Sequence, residues 1–205
     1  TRKESSAASD VYKRQVKGAV ATNEVNAAMG IICATPTAGS SGTIPGVLFK
    51  LEKTHDLTED QMIDFLFTSA LFGRVVANNA SVAGATGGCQ AEVGSASAMA
   101  AAASVAIFNG TPEQSGHAMA LAISNLLGLV CDPVAGLVEI PCVMRNAIGS
   151  GNALISADLA LAGVESRIPV DEVIGAMDRV GRNLPASLRE TGLGGLCLLY
   201  TSPSP

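Results

Sequence analysis

Three of the five cysteines stand at positions from which a thiolate could bind a metal. Cys89 follows a pair of glycines, Cys131 precedes an Asp-Pro pair, and Cys142 follows a proline. Each context predicts a loop or a helix start, where free backbone amides favour the thiolate, the form that binds iron. None of the three belongs to a Cys-x-x-Cys pair like those of zinc ribbons and common ferredoxins. The spacing alone leaves open a second interpretation, three separately buried thiols, because free cysteine is among the most buried residue types.

Each of these cysteines lies within a longer stretch of characteristic sequence. The stretches are GGCQAEVG at 87–94, CDPVAG at 131–136 and PCVMRN at 141–146, with NEVNAAMG at 23–30, PTAGSSG at 36–42 and RETGLGG at 189–195 beside them. Together they resemble the α subunit of the iron-sulfur-dependent L-serine dehydratases. The resemblance runs in family order from about residue 16 to residue 196, and several long matches in one order make it highly specific.

The resemblance implies a 4Fe-4S cluster bound by Cys89, Cys131 and Cys142, with one iron left without a protein ligand. In this family the open iron acts as a Lewis acid: it takes the serine hydroxyl and makes hydroxide a tolerable leaving group. A base removes the α-proton, and the resulting aminoacrylate tautomerises to an imine that hydrolyses to pyruvate and ammonia. The implied activity is that of an L-serine ammonia-lyase.

The loop at 36–42 is the candidate site for the serine carboxylate. Its hydroxyls and its backbone amides, which the glycines leave accessible, could approach an anion closely. The candidate residues are Thr37, Gly39, Ser40 and Ser41, with the two serines as the direct contacts. The alternative is an ordinary turn between two helices.

Three charged residues close to the cysteines are candidates for a supporting role. Glu92, Asp132 and Arg145 could orient the cysteine loops or form hydrogen bonds to sulfur and substrate. Equally, Arg145 could pair with Glu92 or Glu139 for packing alone.

The chain offers no convincing general base. His55 lies in a polar stretch typical of a solvated helix start, and His117 lies on an Ala/Leu-rich helix where histidine is usually structural. In the family that the chain resembles, a Ser/His-bearing motif belongs to a separate β subunit or to an N-terminal domain. The resemblance therefore implies a β-subunit partner and an oligomer, with the isolated chain able to hold a cluster but poorly active.

The other two cysteines, Cys33 and Cys197, receive no catalytic role. We interpret Cys33 as a small buried hydrophobic residue. Two other function classes remain: an electron-transfer or redox-sensing protein with Cys33 as a fourth cluster ligand, and a helical interaction subunit with unligated cysteines.

The periodicity of apolar residues predicts an all-α fold, a compact helical domain with Gly-rich loops around the cluster site. Helices are predicted at about 16–29, 45–51, from 59 onward, 94–108, 112–127, 144–162 and 170–188. No segment alternates apolar and polar residues long enough to predict a strand.

Composition argues against a nucleic-acid-binding protein and against a membrane protein. The chain is 48% hydrophobic and 15% charged with a net charge of −5, and it has no cluster of Lys and Arg that would indicate nucleic-acid binding. The uncharged stretch at 93–112 has the length of a membrane span, but its Gly, Ser, Asn and Pro residues favour a short buried helix. Five cysteines without a secretory signal favour a reducing, cytoplasmic location.

The two ends differ in composition from the body. Residues 1–15 are polar and charged, and residues 197–205 end in a Ser/Pro string. We expect foreign tails at 1–15 and 197–205, flanking a cluster-binding catalytic domain at 16–196 that lacks N-terminal helices of the family.

Overall fold

The computed structural model describes residues 16–200, and helices dominate this part of the chain. They are α1 (16–27), α2 (Thr43–His55), α3 (Glu59–Asn79), α4 (Gly84–Gly87), α5 (Ser95–Ile107), α6 (Pro112–Asn125), α7 (Cys142–Leu161), α8 (Val170–Asn183) and α9 (Cys197–Tyr200). Within residues 16–200 there is no strand, and a single parallel bridge joins Cys131 to Arg189. The predicted all-α fold is confirmed.

The expected tail at 1–15 lies outside the described residues, and so does the second tail beyond residue 200. The part of the second tail that is described forms α9. The domain boundaries stay a prediction.

Capping explains where two of the helices begin. Thr58 precedes α3 and Thr111 precedes α6, and each forms a capping box with the glutamine three residues later. The threonine hydroxyl accepts from the glutamine N–H, while the glutamine side chain accepts from the threonine N–H. These boxes fix the start of α3 and α6 where the sequence predicts them.

Two of the predicted helix limits are wrong. The helix expected at 45–51 runs from Thr43 to His55. The helix expected to continue to 188 ends at Asn183, because Leu184 adopts an extended conformation ahead of Pro185. A residue before proline is sterically disfavoured in the helical region, so the chain leaves the helix there.

Helix α5 is the centre of the core and packs against α3, α6 and α7. Its residues from Ser95 to Val105 are all buried, and most are alanine or serine. Small side chains let the neighbouring helices approach closely, and Ser97 Oγ donates to Gly149 O of α7 at 2.8 Å. Among residues 16–200 no helix has both the length and the apolar character to cross a bilayer, which agrees with the prediction of a buried helix.

Candidate metal centre

The three candidate ligands enter the site from separate parts of the chain. Cys89 precedes a π-helical turn, Gln90–Gly94, that leads into α5. Cys131 lies in the loop after α6, and Cys142 is the first residue of α7. These three residues are only 1%, 2% and 5% exposed. The predicted placement of each cysteine at a loop or a helix start is confirmed.

Two of the thiols and one carboxylate form a compact group of donor atoms. The ligand atoms of Cys89, Glu92 and Cys131 all lie within 4.8 Å of one another and could hold a metal ion. Glu92 lies within the π-helical turn, three residues after Cys89. Sulfur and carboxylate donors this close to one another are costly to bury as separate charges, and a cation would relieve their repulsion.

Arg145 lies in the first turn of α7, the helix that begins with Cys142, and contacts the segments that carry Cys89 and Cys131. Its Nη1 lies 3.6 Å from Cys89 Sγ, and it donates to Val130 O at 2.8 Å. The same nitrogen lies 2.8 Å from Asp132 Oδ1, so the guanidinium adjoins the residues on both sides of Cys131. Arg145 therefore pairs with Asp132, and neither Glu92 nor Glu139 takes that place.

The thiols have different tendencies to ionise. The hydrogen bond from the Cys131 thiol and the charge of Arg145 lower the pKa of Cys89, although burial opposes them. The same hydrogen bond and burial raise the pKa of Cys131. Burial, and then the negative charge of Cys89, raise the pKa of Cys142 to about 12. Cys89 is thus the most readily formed thiolate, and metal binding must displace protons from the other two.

Glu92 is buried and has close neighbours on several sides. Thr37 Oγ1 donates to Glu92 Oε1 at 2.8 Å. A Cβ on Gly39 would lie 3.0 Å from Oε2, and one on Gly84 would lie 2.8 Å from Oε2 and 3.0 Å from Cys131 Sγ. Burial raises the pKa of Glu92, and the hydrogen bond from Thr37 offsets part of that rise. Because Gly39 and Gly84 have no side chains, there is room beside them for the Glu92 carboxylate and the Cys131 thiol.

The loop at 36–42 lies beside this group, but its two serines are engaged in hydrogen bonds within the loop region and to α1. Ser40 and Ser41 are completely buried. Ser40 Oγ donates to Thr35 O at 3.2 Å, and Ser41 Oγ donates to Asn23 Oδ1 at 3.2 Å. Thr37 and Gly39 adjoin Glu92. The loop therefore borders the candidate centre through Thr37 and Gly39.

Asn146 connects this loop to Cys142 and was missed in the sequence. Its Nδ2 donates to Gly39 O at 2.8 Å and to Cys142 O at 2.9 Å. Its Oδ1 accepts from Gly42 N at 3.1 Å and from Thr43 Oγ1 at 3.0 Å. The spacing of Asn146 four residues after Cys142, on the same face of a helix, is the signal that could have indicated it.

Replacing Asn146 with alanine is expected to lower the free energy of unfolding by on the order of 3 kcal/mol, because buried partners lose their hydrogen bonds. Urea denaturation measures this change. Asn79→Ala is the matched control, since Asn79 is exposed and its side chain bonds to Val75 O of its own helix. Equal urea midpoints for the two variants would contradict the connecting role of Asn146.

The C-terminal segment holds Cys131 through the backbone. Cys131 N–H donates to Leu188 O at 2.9 Å, and Cys131 O accepts from Glu190 N–H at 2.7 Å. Asp132 Oδ2 accepts from Leu196 N–H at 2.8 Å. Residues 188–196 are therefore a structural part of the site.

The remaining candidates lie outside this group. His55 is exposed at the end of α2 and packs edge-on against Phe108, while His117 Nδ1 accepts from Ser166 N–H at 3.2 Å. Cys33 is exposed, so its interpretation as a buried hydrophobic residue is wrong: the loop leaves it facing solvent. Cys197 is buried and its thiol donates to Gly194 O at 2.6 Å.

Comparison with known protein families places these residues in context. The family model "Serine dehydratase alpha chain" matches residues 1–197. A protein of Latilactobacillus sakei called "Probable L-serine dehydratase, alpha chain" is 67% identical over 94% of this chain and 92% of its own length. A Bacillus subtilis protein of the same description is 66% identical over 91% of this chain, which spans 62% of that relative. "L-serine dehydratase 2" of Escherichia coli is 40% identical over 88% of this chain, which spans 40% of that protein.

Proposed function

This chain belongs to the serine dehydratase alpha chain family, and we propose that it is the metal-binding catalytic part of an enzyme that converts L-serine to pyruvate and ammonia. The observation that carries the proposal is the buried group of Cys89, Glu92 and Cys131, joined through Arg145 to the helix that begins with Cys142. The names of the relatives support the same reaction.

Cys89, Cys131 and Cys142 are the residues that would hold a 4Fe-4S cluster. Three buried thiols from separate segments suit iron-sulfur ligation, since cluster irons are held by cysteine thiolates. A cluster bound by only three thiolates would supply one iron free to act as a Lewis acid on the serine hydroxyl. Arg145 compensates the negative charge of the thiolates and holds their loops in place.

The residues around the thiols would bind and orient the serine. Glu92 is the carboxylate beside the cluster ligands, and Thr37 fixes its orientation. We assign to it the role of accepting a hydrogen bond from the ammonium group of serine. Of the loop residues that border the centre, Gly39 would donate its backbone N–H to the serine carboxylate. Thr37 already donates its N–H to Ser40 and its hydroxyl to Glu92, so the substrate contacts expected from Thr37, Ser40 and Ser41 stay predictions.

We further propose that the general base is supplied by a β-subunit partner. His55 and His117 are engaged elsewhere, so a base from a β chain would remove the α-proton. The name "alpha chain" of the relatives supports such a partner. The electron-transfer alternative would take Cys33 as its fourth ligand, but Cys33 is exposed whereas the three candidate ligands are buried.

Pyruvate formation tests the proposal. With material purified and assayed without oxygen, L-serine is expected to yield pyruvate when this chain is combined with the β chain from the same organism. Much less pyruvate is expected from this chain alone, and none from D-serine. Iron and sulfide assays should find about four of each per chain. If the iron-loaded chain with its β chain forms no pyruvate, the proposed reaction is wrong.

A further inference from the structure

The outward face of α7 carries an apolar stripe that the rest of residues 16–200 leaves uncovered. Met144, Ile148, Ile155 and Leu159 are 61%, 59%, 52% and 38% exposed. Five residues of α7 are exposed, and the fifth, Asp158, is the only charged one among them. Helical spacing places the four apolar side chains on one side of α7, so they form a continuous surface.

The four stripe residues are spaced symmetrically about the midpoint of the stripe. Met144 and Ile148 are one helical turn apart, and so are Ile155 and Leu159. The midpoint of the whole set falls between Gly151 and Asn152, near the middle of α7. A two-fold axis at this midpoint would place the isoleucine at 148 against the isoleucine at 155 of a second copy, and the methionine at 144 against the leucine at 159.

We propose that this face is an isologous contact between two copies of the chain, formed by antiparallel packing of α7 on α7. A two-fold contact requires one patch to be complementary to itself, and the spacing of the stripe satisfies that condition. Gly151 lies at the crossing point and is half-buried, and its missing side chain lets the two helices approach closely.

The low charge of the α7 stripe is compatible with contact between two copies of the chain. The chain has a net charge of −5, so two copies repel each other. This repulsion is weakest where the facing surfaces carry few charges, as the stripe does. The antiparallel arrangement brings Asp158 towards the first turn of α7 in the second copy, where the helix dipole favours an acidic group. The four side chains present on the order of 400 Å² per copy, within the size of apolar patches that mark interaction sites. This is about half of the roughly 800 Å² that each partner of a stable interface buries, so the contact would include residues on either side of the stripe.

Sedimentation velocity of the full chain tests the contact. The wild-type chain is expected to sediment at twice the 20.7 kDa chain mass. Ile148→Lys and Ile155→Glu should each be monomeric, because each places a charge against an isoleucine across the axis. Phe67→Glu is the matched control, since Phe67 is 73% exposed on α3, and this variant should remain a dimer.

Mixing the two monomeric variants tests the two-fold arrangement itself. Only in a mixture of I148K and I155E chains do the introduced lysine and the introduced glutamate meet across the axis. A return to dimer mass in the mixture supports the proposal and shows that both variants are folded. A monomeric wild type, variants that remain dimers, a mixture that stays monomeric, or association with the β chain alone would each overturn it. The outcome does not depend on the reaction.

Discussion

Replacing Cys131 with serine is expected to abolish pyruvate formation, with a loss of more than about 100-fold, since even the outer partners of metal ligands contribute 10- to 100-fold. Cys131 lies within 4.8 Å of both Cys89 and Glu92, and residues 188–190 fix its backbone. A serine hydroxyl is a poor ligand for iron, so the iron and sulfide content of anaerobically purified protein should fall with the activity. Both quantities are measured on the same preparation.

The control for this experiment is Cys33→Ser. Cys33 is exposed whereas the three candidate ligands are buried, so this variant should keep its iron and its activity. A Cys131→Ser variant that turns over normally would show that the ligand assignment is wrong. Loss of the cluster in Cys33→Ser would instead favour the electron-transfer interpretation.

Replacing Arg145 with methionine is expected to lower the free energy of unfolding by about 3–5 kcal/mol, the effect of leaving one member of a buried ion pair unpaired. The side chains of Arg145 and Asp132 are 13% and 4% exposed. Without the guanidinium, the Asp132 carboxylate keeps its hydrogen bond from Leu196 N–H but loses its countercharge. Urea denaturation of the variant and the wild type gives the difference.

Two further variants separate this effect from a general loss of charge. Arg182 forms an ion pair with Asp178 on α8, but its side chain is 74% exposed, so Arg182→Met should leave the urea midpoint close to that of the wild type. The double variant Arg145→Met/Asp132→Leu should be more stable than Arg145→Met, because no unpaired charge remains. If Arg145→Met and Arg182→Met are equally stable, the buried pair does not have the role that we assign to it.

The fold and the identity of the cysteine segments could be predicted from the sequence because both depend on local signals. The helix starts at α3 and α6 follow from threonine and glutamine at capping positions. The three cysteines lie in characteristic stretches of sequence, and these stretches can be recognised without knowledge of their neighbours in the folded protein.

The contacts between segments could not be predicted in this way. Arg145 has several acidic residues within reach along the sequence, and only the packing of α7 against the loop at 130–132 selects Asp132. The contact of Thr37 with Glu92 joins residues 55 positions apart. The π-helical turn that contains Glu92 has no sequence pattern of its own, since it inserts one residue into an otherwise helical stretch.

Residues 188–196 hold the backbone of Cys131 and the carboxylate of Asp132, and this has a consequence for how the protein matures in the cell. During translation, Cys89, Cys131 and Cys142 are synthesised well before the segment that fixes Cys131. A nascent chain therefore presents the thiols without the arrangement that a cofactor needs, so cofactor delivery is expected to follow the emergence of residues 188–196 from the ribosome.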